Sequence, residues 1–216
     1  MTTEQTYPFN RAHKAASYIL QLLMPHCEVI HVAGSIRRMK AEIKDIEIVC
    51  IPKREFIQKG LFTDVGDHLI IKDFTEALVT IQQTIIKGDI NGRYMQMITA
   101  SQLCPGIKLD LFMPAPEDYY RMLAIRTGSA DYSRSVIAAG WIKKGWCGVK
   151  DLGLRKITQC NYLMIGEKKH YRLKPGIENP ELPPVWKSEG EFFAWLGVEY
   201  IDPEHRELHN PINTAQ

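Results

Sequence analysis

The stretch GSIRRMKAEIKDIEIVCI, residues 34–51, joins a Gly-Ser pair and two arginines to an apolar run that contains two acids. Asp45 and Glu47 alternate there with Ile46 and Ile48, and such alternation is typical of a β-strand whose two faces differ. Both carboxylates should therefore point to the same side of a strand that otherwise has the composition of a buried one. Two like charges on one face of such a strand need a countercharge.

A third acid lies in a second strand-like segment, KLDLF, where Asp110 alternates with Leu109 and Leu111. If the two strands are neighbours, three carboxylates converge, and two like charges about 4 Å apart repel by roughly 4 kcal/mol near a protein surface. A divalent cation would relieve this repulsion, and ligands that are all oxygen favour Mg²⁺ or Mn²⁺. The alternative is that each acid is simply solvated at a strand end.

The Gly-Ser pair directly follows another buried strand, EVIHVAG. If a helix begins at Gly34, its free backbone N–H groups and the Ser35 hydroxyl form an anion site, to which Arg38 can add a charged donor. An ordinary strand-to-helix turn is the alternative for an isolated Gly-Ser pair. An anion site beside a carboxylate cluster favours a nucleotide as the ligand, because Mg²⁺ commonly shares its coordination with substrate phosphates.

The hydrophobic pattern predicts a mixed α+β fold. The first part of the chain combines helical segments with a sheet of about four strands. After Pro114 the predicted elements are helices and a β-hairpin that turns at Gly166-Glu167. We therefore expect two domains, residues 1–115 and 116–216. The segments with helical spacing are residues 9–24, one that contains Phe74, Leu78, Ile81 and Ile85, the stretches APEDYYRMLAI and SADYSRSVIAAGWIKKG, and a short helix capped by Ser188.

Composition limits the class of protein. The chain has 216 residues, 45% of them hydrophobic, and a formal net charge of +2, which neither demands nor excludes nucleic acid. Its five cysteines are widely spaced and form no zinc-like cluster, which indicates a reducing, cytoplasmic setting. With no signal peptide and no apolar stretch of about 20 residues, we expect a soluble monomer without a membrane partner.

These motifs resemble those of the nucleotidyltransferase superfamily to which DNA polymerase beta belongs. AGS, nine further residues and DIEI match the superfamily signature, and KLDLF is similar to its third-carboxylate strand. RTGSADYSRSVIAAGWIKKGW resembles the thumb segment of family X DNA polymerases, and AWLGVEYIDPEHREL resembles their ending. The resemblance covers roughly residues 9–208 and implies a nucleotidyltransferase palm, a mixed sheet with flanking helices, followed by a smaller α+β thumb.

The resemblance also implies an activity and its site. The implied reaction is DNA-directed addition of deoxynucleotides to a primer 3′ end with release of pyrophosphate, as in short-gap filling during DNA repair. The partners would be a nucleoside triphosphate and primer-template or gapped DNA, with two Mg²⁺ ions for which Mn²⁺ can substitute. The implied catalytic and metal-binding residues are Asp45, Glu47 and Asp110. The implied nucleotide-binding residues are Gly34, Ser35, Arg38, Thr127, Gly128 and Ser129.

Two further expectations concern the second domain. The basic residues Arg134, Lys143 and Lys144 would contact DNA phosphates, with an ordinary solvated surface as the alternative. The resemblance also implies a cis peptide bond between Gly128 and Ser129.

Departures from the family pattern keep other functions open. Ile125-Arg126 stands where family members carry an aromatic pair, and the positions that probe the nascent base pair fall on Ala130, Ser133 and Ile137. A template-independent or RNA-modifying nucleotidyltransferase is therefore one alternative, and a non-catalytic nucleotidyltransferase-fold protein of the toxin-antitoxin type is another.

Overall fold

The computed structural model describes residues 5–58, 66–166 and 168–208. The chain divides into two compact units, Met1–Thr127 and Gly128–Gln216, each of which combines helices with β-strands. The protein therefore has the predicted α+β class. The division falls after Thr127, whereas the boundary expected near residue 115 precedes a helix that packs in the first unit. Within the described ranges, every helix is too short or too polar to cross a membrane.

The first unit contains a mixed sheet flanked by helices. Its helices are α1 (Phe9–Leu23), α2 (Gly34–Arg37), α3 (Lys72–Ile81) and α4 (Tyr119–Thr127), with 3₁₀ turns at Met24–His26 and Pro116–Asp118. Its strands are β1 (Tyr7–Pro8), β2 (Cys27–Val32), β3 (Glu42–Ile43), β4 (Asp45–Pro52), β5 (Arg54–Gln58), β6 (Gly66–Ile70), β7 (Gln82–Gly88), β8 (Tyr94–Thr99) and β9 (Lys108–Phe112). The pairs β1-β3 and β5-β6 are small separate ribbons.

The central sheet has five strands in the order β2-β4-β9-β8-β7, rather than the four expected. The neighbours β4 and β9 are parallel, and the other pairs are antiparallel. The extra strand includes Ile85, which helical spacing had assigned to the preceding helix. That prediction was wrong because α3 ends at Ile81 and the backbone becomes extended at Gln82. The β-branched run Thr84-Ile85-Ile86 that follows favours a strand.

The two faces of the central sheet are covered differently. On one face, the side chains of Ile46 and Ile48 from β4 and of Leu109 and Leu111 from β9 are fully buried in the core that α1 and α3 complete. On the other face, α4 packs on the far ends of the same strands. The acids of β4 and β9 lie on this second face.

The second unit contains a four-stranded sheet. Its strands are β10 (Trp146–Val149), β11 (Gly153–Lys156), β12 (Cys160–Ile165) and β13 (Lys168–Leu173), in the order β11-β10-β13-β12. The predicted hairpin is confirmed as the antiparallel pair β12-β13, although Glu167 at its turn lies outside the described residues. The predicted cap is also confirmed, because the Ser188 hydroxyl accepts a hydrogen bond of 3.1 Å from the backbone N–H of Glu191. The other elements are α5 (Ala130–Tyr132), a π-helical turn (Ser133–Ala138), α6 (Ala139–Lys143), a 3₁₀ turn (Ile157–Gln159), α7 (Glu189–Leu196) and a 3₁₀ turn (Pro203–His205).

A buried arginine anchors the end of the described chain. Arg206 is fully buried, and its Nη1 donates to Glu189 Oε1 at 2.7 Å while its Nε donates to the carbonyl of Ile201 at 2.8 Å. The guanidinium also lies 4.8 Å from the centre of the Phe193 ring. Because a buried charge is tolerated only when it is paired, the segment after α7 is held in place by this one side chain.

Replacing Arg206 with alanine should destabilise the second unit by about 3–5 kcal/mol, because the buried Glu189 carboxylate loses its charged partner. All four tryptophans lie between residues 141 and 195, so urea unfolding of the full chain followed by tryptophan fluorescence measures this unit. Arg134→Ala is the matched control, since Arg134 forms an exposed ion pair with Asp131 and should change stability by less than about 0.5 kcal/mol. Equal losses in the two variants would contradict the anchoring role.

Candidate active site

Two acids face each other across the parallel strands β4 and β9. Glu47 is the register partner of Asp110, and Asp45 is the partner of Lys108. Asp45 precedes Glu47 by two residues and therefore lies on the same face. The condition on which the convergence of the acids depended, that the two strands are neighbours, is met, and the central element of the site is the pair Glu47–Asp110.

The carboxylate of Asp110 is fixed by two neutral donors from β8. Gln96 is its register partner there, and Gln96 Nε2 donates to Asp110 Oδ1 at 2.8 Å. The hydroxyl of Tyr94 donates to the same oxygen. Burial and this hydrogen bond raise the pKa of Tyr94, so the phenol stays a donor at neutral pH. The carboxylate of Asp110 is thus held in one orientation by two hydrogen bonds.

Glu47 is the acid whose ionisation is least favourable. Burial, followed by the negative charge of Asp45, raises the pKa of Glu47 to about 7. The charge of Asp110 acts in the same direction, whereas the positive charges of Arg126 and Arg38 lower it. Close to neutral pH, the site therefore gains and loses a proton at Glu47.

The turn that begins α2 is in contact with Glu47. Gly34 has φ +63°, and a Cβ at this position would overlap Oε2 of Glu47 and lie 2.9 Å from its Cδ. The backbone N–H of Ala33 donates to the carbonyl of Glu47 at 2.8 Å. Only glycine therefore fits between the turn and the acid. A helix does start at Gly34, which was the condition for an anion site there, and Ser35 is partly exposed in its first turn.

The two arginines of this turn reach the end of α4. Arg38 Nη1 donates to the carbonyl of Thr127 at 2.8 Å, and Arg37 Nη1 donates to the Thr127 hydroxyl at 2.7 Å. Arg38 was expected to contact a triphosphate, and the structure gives it this carbonyl as one partner. Sequence reasoning missed Arg37, because neither spacing nor composition shows which of two adjacent arginines faces a distant helix.

The predicted Thr-Gly-Ser turn is divided between the two units. Thr127 is fully buried at the end of α4 in the first unit. In the second unit, the Ser129 hydroxyl caps α5 by accepting from the N–H of Tyr132 at 3.2 Å. The described residues contain no cis peptide bond, so the expected cis bond between Gly128 and Ser129 was wrong. A cis bond at a residue other than proline costs about 3 kcal/mol, and here Ser129 makes its capping bond on a trans backbone.

The three basic residues predicted to bind DNA lie on the surface of the second unit. Arg134, Lys143 and Lys144 are all exposed. Arg134 pairs with Asp131 at 3.4 Å, and Lys144 Nζ lies 5.7 Å from the centre of the Trp195 ring. Their exposure leaves them accessible to a polyanion, and their role in DNA binding stays a prediction.

Three residues that sequence reasoning did not select complete the site. Tyr94 and Gln96 belong to the strand YMQMIT, in which alternate residues share a face, so their position beside an acid-bearing strand was open to prediction. Arg126 gave no such signal, because it comes from a helix after the sheet and approaches the acids only through tertiary packing.

A scan against models of known protein families finds no match for the chain, and a search of curated proteins finds no similar sequence.

The acids fit a divalent cation by the chemistry of their donors. All three offer carboxylate oxygens, and Mg²⁺ needs only one or two protein carboxylates because water and phosphate complete its shell. Among residues 5–58, 66–166 and 168–208, no group of three or more His, Cys, Asp or Glu side chains is clustered tightly enough to hold a metal ion. Glu47 and Asp110, with Asp45 on the same face, are the residues that would hold such an ion.

Gly34→Ala should lower the free energy of unfolding by about 1–3 kcal/mol more than Gly106→Ala, because its Cβ must displace Glu47. Gly106 is the matched control: it has φ +80°, and its nearest neighbour to an added Cβ is Tyr7 Oη at 3.9 Å. That substitution costs only backbone strain, about 1–2 kcal/mol. Urea unfolding of the full chain followed by far-UV circular dichroism measures both. Equal losses would show that Glu47 does not abut the turn.

The metal-free protein should lose stability as pH rises from 4.5 to about 7, because the folded state raises the pKa of Glu47 across that range and so binds its proton more tightly than the unfolded state does. Glu47→Gln removes this effect. The free energy of unfolding of the variant, relative to that of the wild type, should therefore rise by on the order of 2–3 kcal/mol between the two ends of this pH range. Urea unfolding in a chelator at several pH values measures the difference, with the exposed Glu55→Gln as control. A difference that is constant with pH would contradict the shift.

Proposed function

We propose that the protein is a metal-dependent nucleotidyltransferase, with a palm of the DNA polymerase beta superfamily and a thumb-like second unit, and that it acts as a DNA polymerase of the family X type. The reaction would be the addition of a deoxynucleotide to a primer 3′ end with release of pyrophosphate. Its use would be the filling of short gaps in DNA repair.

One observation carries the proposal: the turn at Gly34, which would bind the phosphates, lies against the carboxylate of Glu47, and Glu47 is the register partner of Asp110. A turn of free N–H groups attracts phosphate, and a carboxylate pair attracts a divalent cation. A nucleoside triphosphate with its metal ions satisfies both at once, because its negative phosphates and its bound cations lie side by side.

In this reaction, the acids and the turn at Gly34 would have different roles. Asp45, Glu47 and Asp110 would hold two Mg²⁺ ions, which when bound activate the primer 3′ hydroxyl and neutralise the triphosphate. Asp110, oriented by Gln96, is the best-fixed acid and suits the position beside the hydroxyl. The Ser35 hydroxyl and the N–H groups at the start of α2 would donate to phosphate oxygens.

The test is extension of a labelled primer at a one-nucleotide gap, with each deoxynucleotide supplied singly in Mg²⁺ or Mn²⁺. We expect addition that matches the template, and a loss of about 100-fold or more in Asp110→Asn because a metal ligand is removed. Asp73→Asn is the matched control, since Asp73 is exposed in the first turn of α3, and its rate should equal that of the wild type. No addition by the intact protein with either metal would contradict the enzymatic proposal and leave a non-catalytic nucleotidyltransferase fold.

A second candidate, a template-independent nucleotidyltransferase, is favoured by one specific observation. Ile137 is fully buried and Ser133 is 8% exposed, and these are positions from which family members would probe the nascent base pair. Side chains so enclosed are poorly placed to read a minor groove. In the same assay, addition of all four nucleotides regardless of the template base would support this candidate over the templated polymerase.

A further inference from the structure

Arg126 brings a positive charge to the face of the sheet that bears the acids. Its guanidinium carbon lies 4.0 Å from the centre of the Phe112 ring. Phe112 follows Asp110 by two residues on β9, and Glu47 is the register partner of Asp110. Because alternate residues of a strand share a face, the ring holds the guanidinium on the same side as the carboxylate pair.

The electrostatic effects agree with this placement. Burial and the charge of Asp45 raise the pKa of Glu47, and the charge of Arg126 is the largest effect that opposes them. Partial desolvation lowers the pKa of Arg126, although the residue as a whole remains exposed, and the charges of Glu47 and Asp110 act in the opposite direction. The arginine and the two acids therefore interact as opposite charges within one cluster.

The backbone that carries Arg126 is itself fixed. The next residue, Thr127, accepts hydrogen bonds from Arg38 at its carbonyl and from Arg37 at its hydroxyl. The last turn of α4 is thus tied to the turn that begins at Gly34. The hydrogen bonds to Thr127 fix the backbone from which Arg126 extends, and the Phe112 ring is the contact over which its guanidinium lies.

We propose that Arg126 is a built-in countercharge, which pairs with the carboxylates of Glu47 and Asp110 in the metal-free protein and competes with the divalent cation for them. The inference rests on the proposed function, since it requires these acids to bind a metal ion. Arg126 is then a positioning residue that sets the metal concentration at which the site loads. Arg126 would therefore raise the stability of the metal-free protein and lower its affinity for the divalent cation.

Two opposite effects follow from removing this charge. Without Arg126, the acids repel one another with less compensation, so the metal-free protein becomes less stable. The same change deepens the negative potential at the site and removes the competitor, so a divalent cation binds more tightly. A merely structural arginine would lower stability without strengthening metal binding.

The test is titration of the full chain with Mn²⁺ alone, without nucleotide or DNA, at fixed pH and ionic strength, followed by calorimetry and by the electron paramagnetic resonance of free Mn²⁺. Arg126→Gln should bind Mn²⁺ about tenfold more tightly than the wild type, the change that a unit charge in a screened site produces. Its thermal midpoint in a chelator, followed by far-UV circular dichroism, should be lower, and the deficit should shrink in saturating Mn²⁺. Arg126→Lys, which keeps the charge, should return the affinity towards that of the wild type.

Arg134→Gln is the matched control, because it removes the same charge from the exposed surface of the second unit and should leave Mn²⁺ affinity within about twofold. Equal or weaker Mn²⁺ binding by Arg126→Gln, with the wild type still binding, overturns this inference and leaves the proposed function standing. Failure of the wild type and of Arg126→Gln to bind Mn²⁺ overturns both. Binding by Arg126→Gln alone supports the inference, since the competitor would then be strong enough to exclude the ion.

Discussion

The parallel pairing of β4 with β9 forces two carboxylates together, and the rest of the first unit is arranged around that repulsion. Glu47 and Asp110 cannot move apart without breaking the register of the strands. Burial of side chains on the opposite face of the sheet stabilises this strand pairing in spite of the repulsion. Four aliphatic side chains of these strands are fully buried there, and at about 1.5–3 kcal/mol each their burial exceeds the roughly 4 kcal/mol by which two close like charges repel.

Several groups of the protein each reduce part of this repulsion. Neutral donors from β8 hold the carboxylate of Asp110 in place, and the guanidinium of Arg126 lies over the Phe112 ring on the same face. The pKa of Glu47 is raised to about 7. The protein therefore carries part of the compensation for the repulsion in its own side chains.

The strands and the acids were predictable because their information is local. Alternation within β4 and β9 was enough to assign their faces, whereas their pairing entered the sequence analysis only as a condition and is seen in the structure. Ile85 was misassigned because a fourth apolar residue at helical spacing extends a helix in sequence, whereas the chain turns into β7 after Ile81. Arg126 was beyond prediction for a different reason. Its position depends on how α4 packs across the sheet, and no pattern within the helix records which strand it will meet.

The end of α4 joins the two halves of the candidate site. Its last two residues, Arg126 and Thr127, contact the acid-bearing face and the arginines of α2 respectively. In the proposed site, a ligand whose phosphates drew Arg38 away would take a donor from Thr127, and a cation bound at Glu47 would take a partner from Arg126. Both events would act on the same turn of helix and would therefore couple phosphate and metal binding energetically through α4. Because the turn at Gly34 leaves no room for a side chain, its backbone stays against the Glu47 carboxylate.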